Sequence, residues 1–92
     1  MEKSKIELRK TKSGATWVSK MELGEYINYS SISENYFKFT PAWILQRLSG
    51  YEVNGKKAEF IQQEYITLAN AYREIAEMLV KNAEFIENAA LE

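Results

Sequence analysis

Ninety-two residues with a net charge of −1, 46% hydrophobic and 13% aromatic, are enough for one small domain and too apolar for a disordered chain. Cysteine and histidine are both missing and all thirteen acids are glutamates, which excludes disulfides, thiolate or imidazole metal sites and most general bases and nucleophiles. No nucleophile–base constellation emerges from the Glu, Lys, Tyr and Ser that remain, so the expectation is a non-enzymatic protein without cofactor, metal or small-molecule substrate.

Residues 1–16 are polar and net positive: positions 1–14 hold five Lys/Arg against two Glu. They read as a flexible basic arm, and their lack of an apolar run argues against a secretory leader. From residue 17 to 90 the pattern is that of a single helical domain. Ser19 and Glu22 have the spacing of a capping box, predicting a helix over 20–29 with Met21, Leu23, Tyr26 and Ile27 inward, weakened by Gly24. A second box at Ser31 and Glu34 predicts a helix over 32–38 that buries Ile32, Tyr36 and Phe37.

Thr40 is a good N-cap, Pro41 suits the first helical position and Gly50 suits a left-handed stop, so the next helix spans 41–49. At 100° per residue Pro41, Ile44, Leu45 and Leu48 fall on an inner arc, and Ala42, Trp43, Gln46 and Arg47 on an outer one. Trp43 and Arg47 are then four apart on the wet side, positioned for a cation–π pair. Two short helices around a turn of about three residues make a helix-turn-helix pattern.

Asn54-Gly55 is a strong hairpin signal and would pair Glu52 with Lys57 and Tyr51 with Ala58. Lys, Ala and Glu form strands poorly, so residues 51–58 make either a tiny hairpin or a plain loop. Residues 61–88 read as one long helix. Tyr65, Leu68, Tyr72, Ile75 and Leu79 recur at spacings of three and four, with Asn82 and Ile86 continuing the seam. Residues 61–92 hold six Glu against two basic groups, which makes this the acidic end. Leu91–Glu92 read as a vector-encoded junction. The fold class expected is all-α: three short helices plus one long C-terminal helix. The longest apolar run, Ala42 to Leu45, is far too short to cross a membrane, and a soluble, cytoplasmic protein is expected.

The combination Ile32-Ser33, Tyr36-Phe37, Trp43 to Leu45, Gln46 to Gly50, Val53 to Lys56 and Phe60 resembles a family of small Bacteroides proteins catalogued only as a domain of unknown function. The likeness covers roughly residues 30–80 and implies a fold rather than an activity. More distantly, the helix pair is similar to phage repressor-type helix-turn-helix domains, which implies DNA binding. Two departures stand out. If Ile32-Ser33 is the apolar-small pair of the first helix, the turn is one residue too long. If Lys38 takes the place of the turn glycine, Glu34 falls in a slot that is normally small and buried. The family pattern also opens its last helix with Thr-Pro after Phe60, where this chain has Ile61-Gln62.

Two functions from different classes fit. In the first, the 41–49 helix enters the major groove with Ala42, Gln46 and Ser49 near base edges. Gln46 is then a partner for adenine, and Arg47 takes guanine or phosphate. Lys38, Lys56, Lys57 and the N-terminal lysines would contact the DNA backbone, with Thr40 and Trp43 also at the DNA surface, Trp43 toward the groove. Trp43 has an alternative place, folded back into the core against the last helix. In the second, the long helix makes the chain a protein-interaction module, with a homodimer through 61–88 as its simplest form.

Overall fold

The computed structural model describes residues 16–91, and the basic arm expected over 1–16 lies outside them except for Thr16. The described chain is all-α apart from one two-residue ladder. Its elements are α1 (Thr16–Ser19), a 3-10 turn (Gly24–Tyr26), α2 (Tyr29–Ile32), a π-helical turn (Ser33–Phe37), α3 (Pro41–Ser49), β1 (Glu52–Val53), β2 (Lys56–Lys57) and α4 (Gln62–Ala89).

The helix expected over 20–29 does not form. Successive three-residue bonds, Lys20 N–H to Trp17 O, Met21 N–H to Val18 O and Gly24 N–H to Met21 O, fold the chain back on itself instead. Gly24 makes this possible, since a Cβ there would collide with the Ser19 carbonyl. The consequence is a shift of burial: Val18 enters the core, whereas Leu23 and Tyr26, expected inside, are exposed.

The second helix starts earlier than its capping box suggested. Asn28 is the cap, its side-chain oxygen accepting from Ser31 N–H at 3.0 Å, and Ser31 lies inside the first turn. After Ile32 the winding widens to a π turn, which holds one residue more than an α turn would. That extra residue resolves the conflict between the two registers. Ser33 occupies the small, fully buried slot, and Lys38 still reaches the left-handed turn position at φ 62 and ψ 36. The Ser33 hydroxyl donates to Thr40 O at 2.6 Å, tying the turn to the start of α3.

α3 matches its expected bounds, from Pro41 to a left-handed Gly50 at φ 75 whose N–H donates to Gln46 O. The hairpin forms in the expected register, Glu52 opposite Lys57, with Ala58 N–H donating to Tyr51 O at 2.8 Å. Asn54 and Gly55 both have positive φ, as a type I′ turn requires. Ile61 has no side chain with which to cap α4, but Glu64 reaches back to accept from its N–H at 2.9 Å.

The core gathers Val18, Ile32, Ile44, Leu48, Phe60, Leu68 and Ala71, drawn from α1, α2, α3, the hairpin exit and the first half of α4. Of the seam expected along α4, Tyr65, Tyr72 and Ile75 are half-buried and Leu68 is buried, but Leu79 is 62% exposed. Ala71, fully buried, was assigned to no core position by the three-four spacing. No described helix is long and apolar enough to cross a membrane.

Candidate nucleic-acid interface

The outer face of α3 is not the arc the sequence suggested. Leu45, expected inside, is 46% exposed, so the stripe open to solvent is Ala42, Leu45 and Ser49, with Gln46 half-buried along its edge. Trp43 has turned the other way. Its ring lies 4.7 Å from both Phe37 and Phe39 and meets Phe60 edge-on at 5.7 Å. Phe60 in turn lies 5.3 Å from Tyr65, and Tyr65 stacks on Trp17 at 6.1 Å. This chain of rings joins α3 to α4 and α1, and it explains why a tryptophan sits on so short a helix. Placing it on the wet side fails because the hairpin returns Phe60 beneath α3, and the ring area buried there outweighs solvent contact.

Arg47 does stack on Trp43, its guanidinium carbon 4.3 Å from the ring centroid. Its Nη1 also donates to Trp43 O at 3.0 Å, and its Nε is buried with no acceptor among the described residues. A guanidinium pinned this way is a positioned cation rather than a free arm, and it is poorly placed to extend to a guanine edge.

The β1–β2 tip leans toward the same helix. Gln46, Arg47, Lys56 and Lys57 surround one shallow depression whose walls also include Trp43 and Glu59. Three cations thus stand beside the one amide side chain at the edge of the open stripe. Lys38 and Thr40 are not part of that group. They line a second depression with Glu34, Phe39 and Pro41, and Trp43 divides the two. Ala42 and Ser49 are exposed on the outer stripe between helix ends.

Away from this face, Tyr29 and Tyr72 share a hydroxyl–hydroxyl hydrogen bond of 2.9 Å between α2 and α4. Burial, and then the Tyr29 hydroxyl, push the Tyr72 phenol well above its ordinary value, and burial raises Tyr29 despite its bond to Tyr72. Tyr36 is raised chiefly by its hydrogen bond to the Glu74 carboxylate. The tyrosine pair was missed at the sequence level, where Tyr72 counted only as an apolar seam residue. Among the described residues no group of three or more potential ligands is placed to hold a metal ion.

The family model described as a domain of unknown function (DUF5053) matches residues 18–86, well over half of the chain. No curated protein and no solved structure matches it.

Proposed function

The chain belongs to this family of domains of unknown function, and we propose that it binds duplex DNA through the open stripe of α3 and the β1–β2 tip. The observation that carries the proposal is the gathering of Gln46, Arg47, Lys56 and Lys57 around one depression. Ala42 and Ser49 are small enough to let the helix approach a groove floor, and the Gln46 amide has the donor–acceptor pair that matches adenine. Leu45 adds an apolar contact of the kind a thymine methyl accepts. Arg47, held by Trp43, and the two lysines stand where phosphates flank such a helix, and Lys38 extends the cationic edge past the N-terminus of α3. The helix pair and its three-residue turn are consistent with a helix-turn-helix mode of docking. Glu34 and Glu59 border the same surface, so binding is expected to be of modest affinity and steeply salt-dependent.

A salt titration of affinity for duplex DNA tests the reading. Each phosphate contact contributes about 0.9 to the slope of log affinity against log salt. Lys56→Ala with Lys57→Ala should therefore weaken binding to all sequences alike and flatten the slope by about one to two units. Gln46→Ala should cost about 1–3 kcal/mol on a preferred site and little elsewhere. A parent protein without measurable affinity at low salt would remove the proposal, as would a double variant with the parental slope. The second reading, an interaction module, is favoured by a different observation: the apolar stripe of α4 runs on beyond the residues that cover it.

A further inference from the structure

The seam of α4 does not stop where its cover stops. Leu68 and Ala71 are buried and Ile75 is half-buried, and Met78 sits at the rim of the short-helix cluster in a depression with Tyr26 and Ile27. Beyond it the same stripe continues in the open with Leu79 at 62%, Phe85 at 79% and Ile86 at 70% exposure. At 1.5 Å per residue the 28-residue helix is about 42 Å long, and about two-fifths of it, from Leu79 on, projects uncovered by the described residues. We infer that this projecting stripe is the docking surface for a second copy of the chain, and that the two copies of α4 pair antiparallel.

Three features select a second helix as the occupant. The heptad positions continue unbroken through Leu79, Asn82, Ile86 and Ala89. One flanking position is alanine in four successive heptads (Ala69, Ala76, Ala83 and Ala90), which lets a partner backbone approach closely. The charges of this segment, Glu77, Lys81, Glu84 and Glu87, all lie off the stripe, so no like charges meet across it. The projecting apolar side chains offer on the order of 600 Å² per copy, about 1,200 Å² for the pair, at the lower bound of specific interfaces. An interface of this size is expected to self-associate weakly, in the micromolar range or above.

Direction is decided by what already occupies the stripe. In a parallel pair the partner helix, followed back from residue 79, would run into α1, α2 and their turns, which cover the same stripe from Tyr65 to Ile75. In an antiparallel pair it runs outward past Ala89, and its C-terminus meets the apolar rim at Met78 and Tyr26. Tyr26 is 75% exposed, and this contact gives it a place. Heptad layers then set Leu79 of one copy against Ala89 of the other, and Asn82 against Ile86, with the two-fold axis near residue 84.

Sedimentation equilibrium on the full chain, with Leu79→Glu and Ile86→Glu together as the variant, tests the pairing. Both side chains are exposed in the single copy, so the variant should keep the parental circular dichroism and, in dilute solution, the parental thermal midpoint. The parent should dimerise at tens of micromolar, and the variant should weaken this on the order of 100-fold or more. A parent that stays monomeric at millimolar concentration overturns the inference, as does a dimer that survives both glutamates. Orientation is read separately. The chain has no cysteine, so Gln63→Cys accepts a single spin label. Antiparallel pairing places the two labels about 60 Å apart and parallel pairing within about 20 Å, and the shorter distance would refute the antiparallel arrangement. Neither measurement involves DNA, so this inference and the DNA-binding proposal succeed or fail separately.

Discussion

Single side chains decide more here than their spacing along the helices implies. Trp43 is the clearest case: one ring joins Phe37, Phe39 and Phe60 and fixes Arg47 above itself. The Tyr29–Tyr72 pair has a consequence for alkaline stability. Both phenols are raised in the folded state, whereas in the unfolded chain they ionise near pH 10. The unfolded chain therefore sheds protons first. The pair's contribution is complete below about pH 10 and is lost as pH rises toward the folded-state values. Tyr72→Phe should cost about 1 kcal/mol near neutrality through the lost hydrogen bond. Its stability should then fall less steeply than the parent's above pH 10. Urea unfolding at a series of pH values up to about 11.5 is the measurement, and parallel declines would show the pair to be inert.

Among the elements, the π turn over Ser33–Phe37 is the most consequential. It takes up one residue, so that Ser33 reaches the core and Lys38 the left-handed corner, and both conditions are needed to aim α3. Asn35 is exposed, and its amide donates only locally, to the Ser31 hydroxyl at 3.0 Å. Deleting Asn35 should convert the wide turn to ordinary α-helix while leaving Ser33 and Lys38 in their places. Stability is then expected to stay within about 1 kcal/mol of the parent, since a π bulge is in effect a one-residue insertion. A deletion variant that fails to fold cooperatively would mean the widened turn is itself required. The hairpin is an element of a different kind: a minimal ladder whose role is to return Phe60 under Trp43 while holding Lys56 and Lys57 outward.

At the scale of the whole molecule, the chain is a cluster of short helices mounted on one half of a rod, 58 Å in its longest dimension. The covered half of α4 carries the core contacts and the projecting half carries none of the buried residues. A chain ending at Val80 should therefore keep its thermal midpoint within a few degrees of the parent in dilute solution, where both are monomeric. At high concentration only the longer chain should gain stability from pairing, by mass action. Thermal unfolding at two concentrations distinguishes these outcomes. A shortened chain that melts far below the parent when dilute would show that the projecting half supports the core.

What the sequence determined by itself was whatever depends on neighbours a few residues apart. Pro41 and Gly50 bounded α3, Asn54-Gly55 set the hairpin register, and the three-four spacing from Tyr65 announced α4, because caps, turns and helical period are local constraints. The family resemblance was legible for the same reason, in motifs that cluster around those caps and turns. The same local signals misled where tertiary contacts compete with them. The capping box at Ser19 gave way to a chain reversal closed by Gly24, and Ser31 gave way to Asn28. Which face of α3 is wet depended on where Phe60 returned, and how much of the α4 stripe is covered depended on how far three short helices reach. Of the nine residues expected at the site, the fold placed Trp43, Gln46, Arg47, Lys56 and Lys57 around one depression and Lys38 and Thr40 around another. That division follows from ring packing between segments far apart in the chain, and no spacing within α3 encodes it.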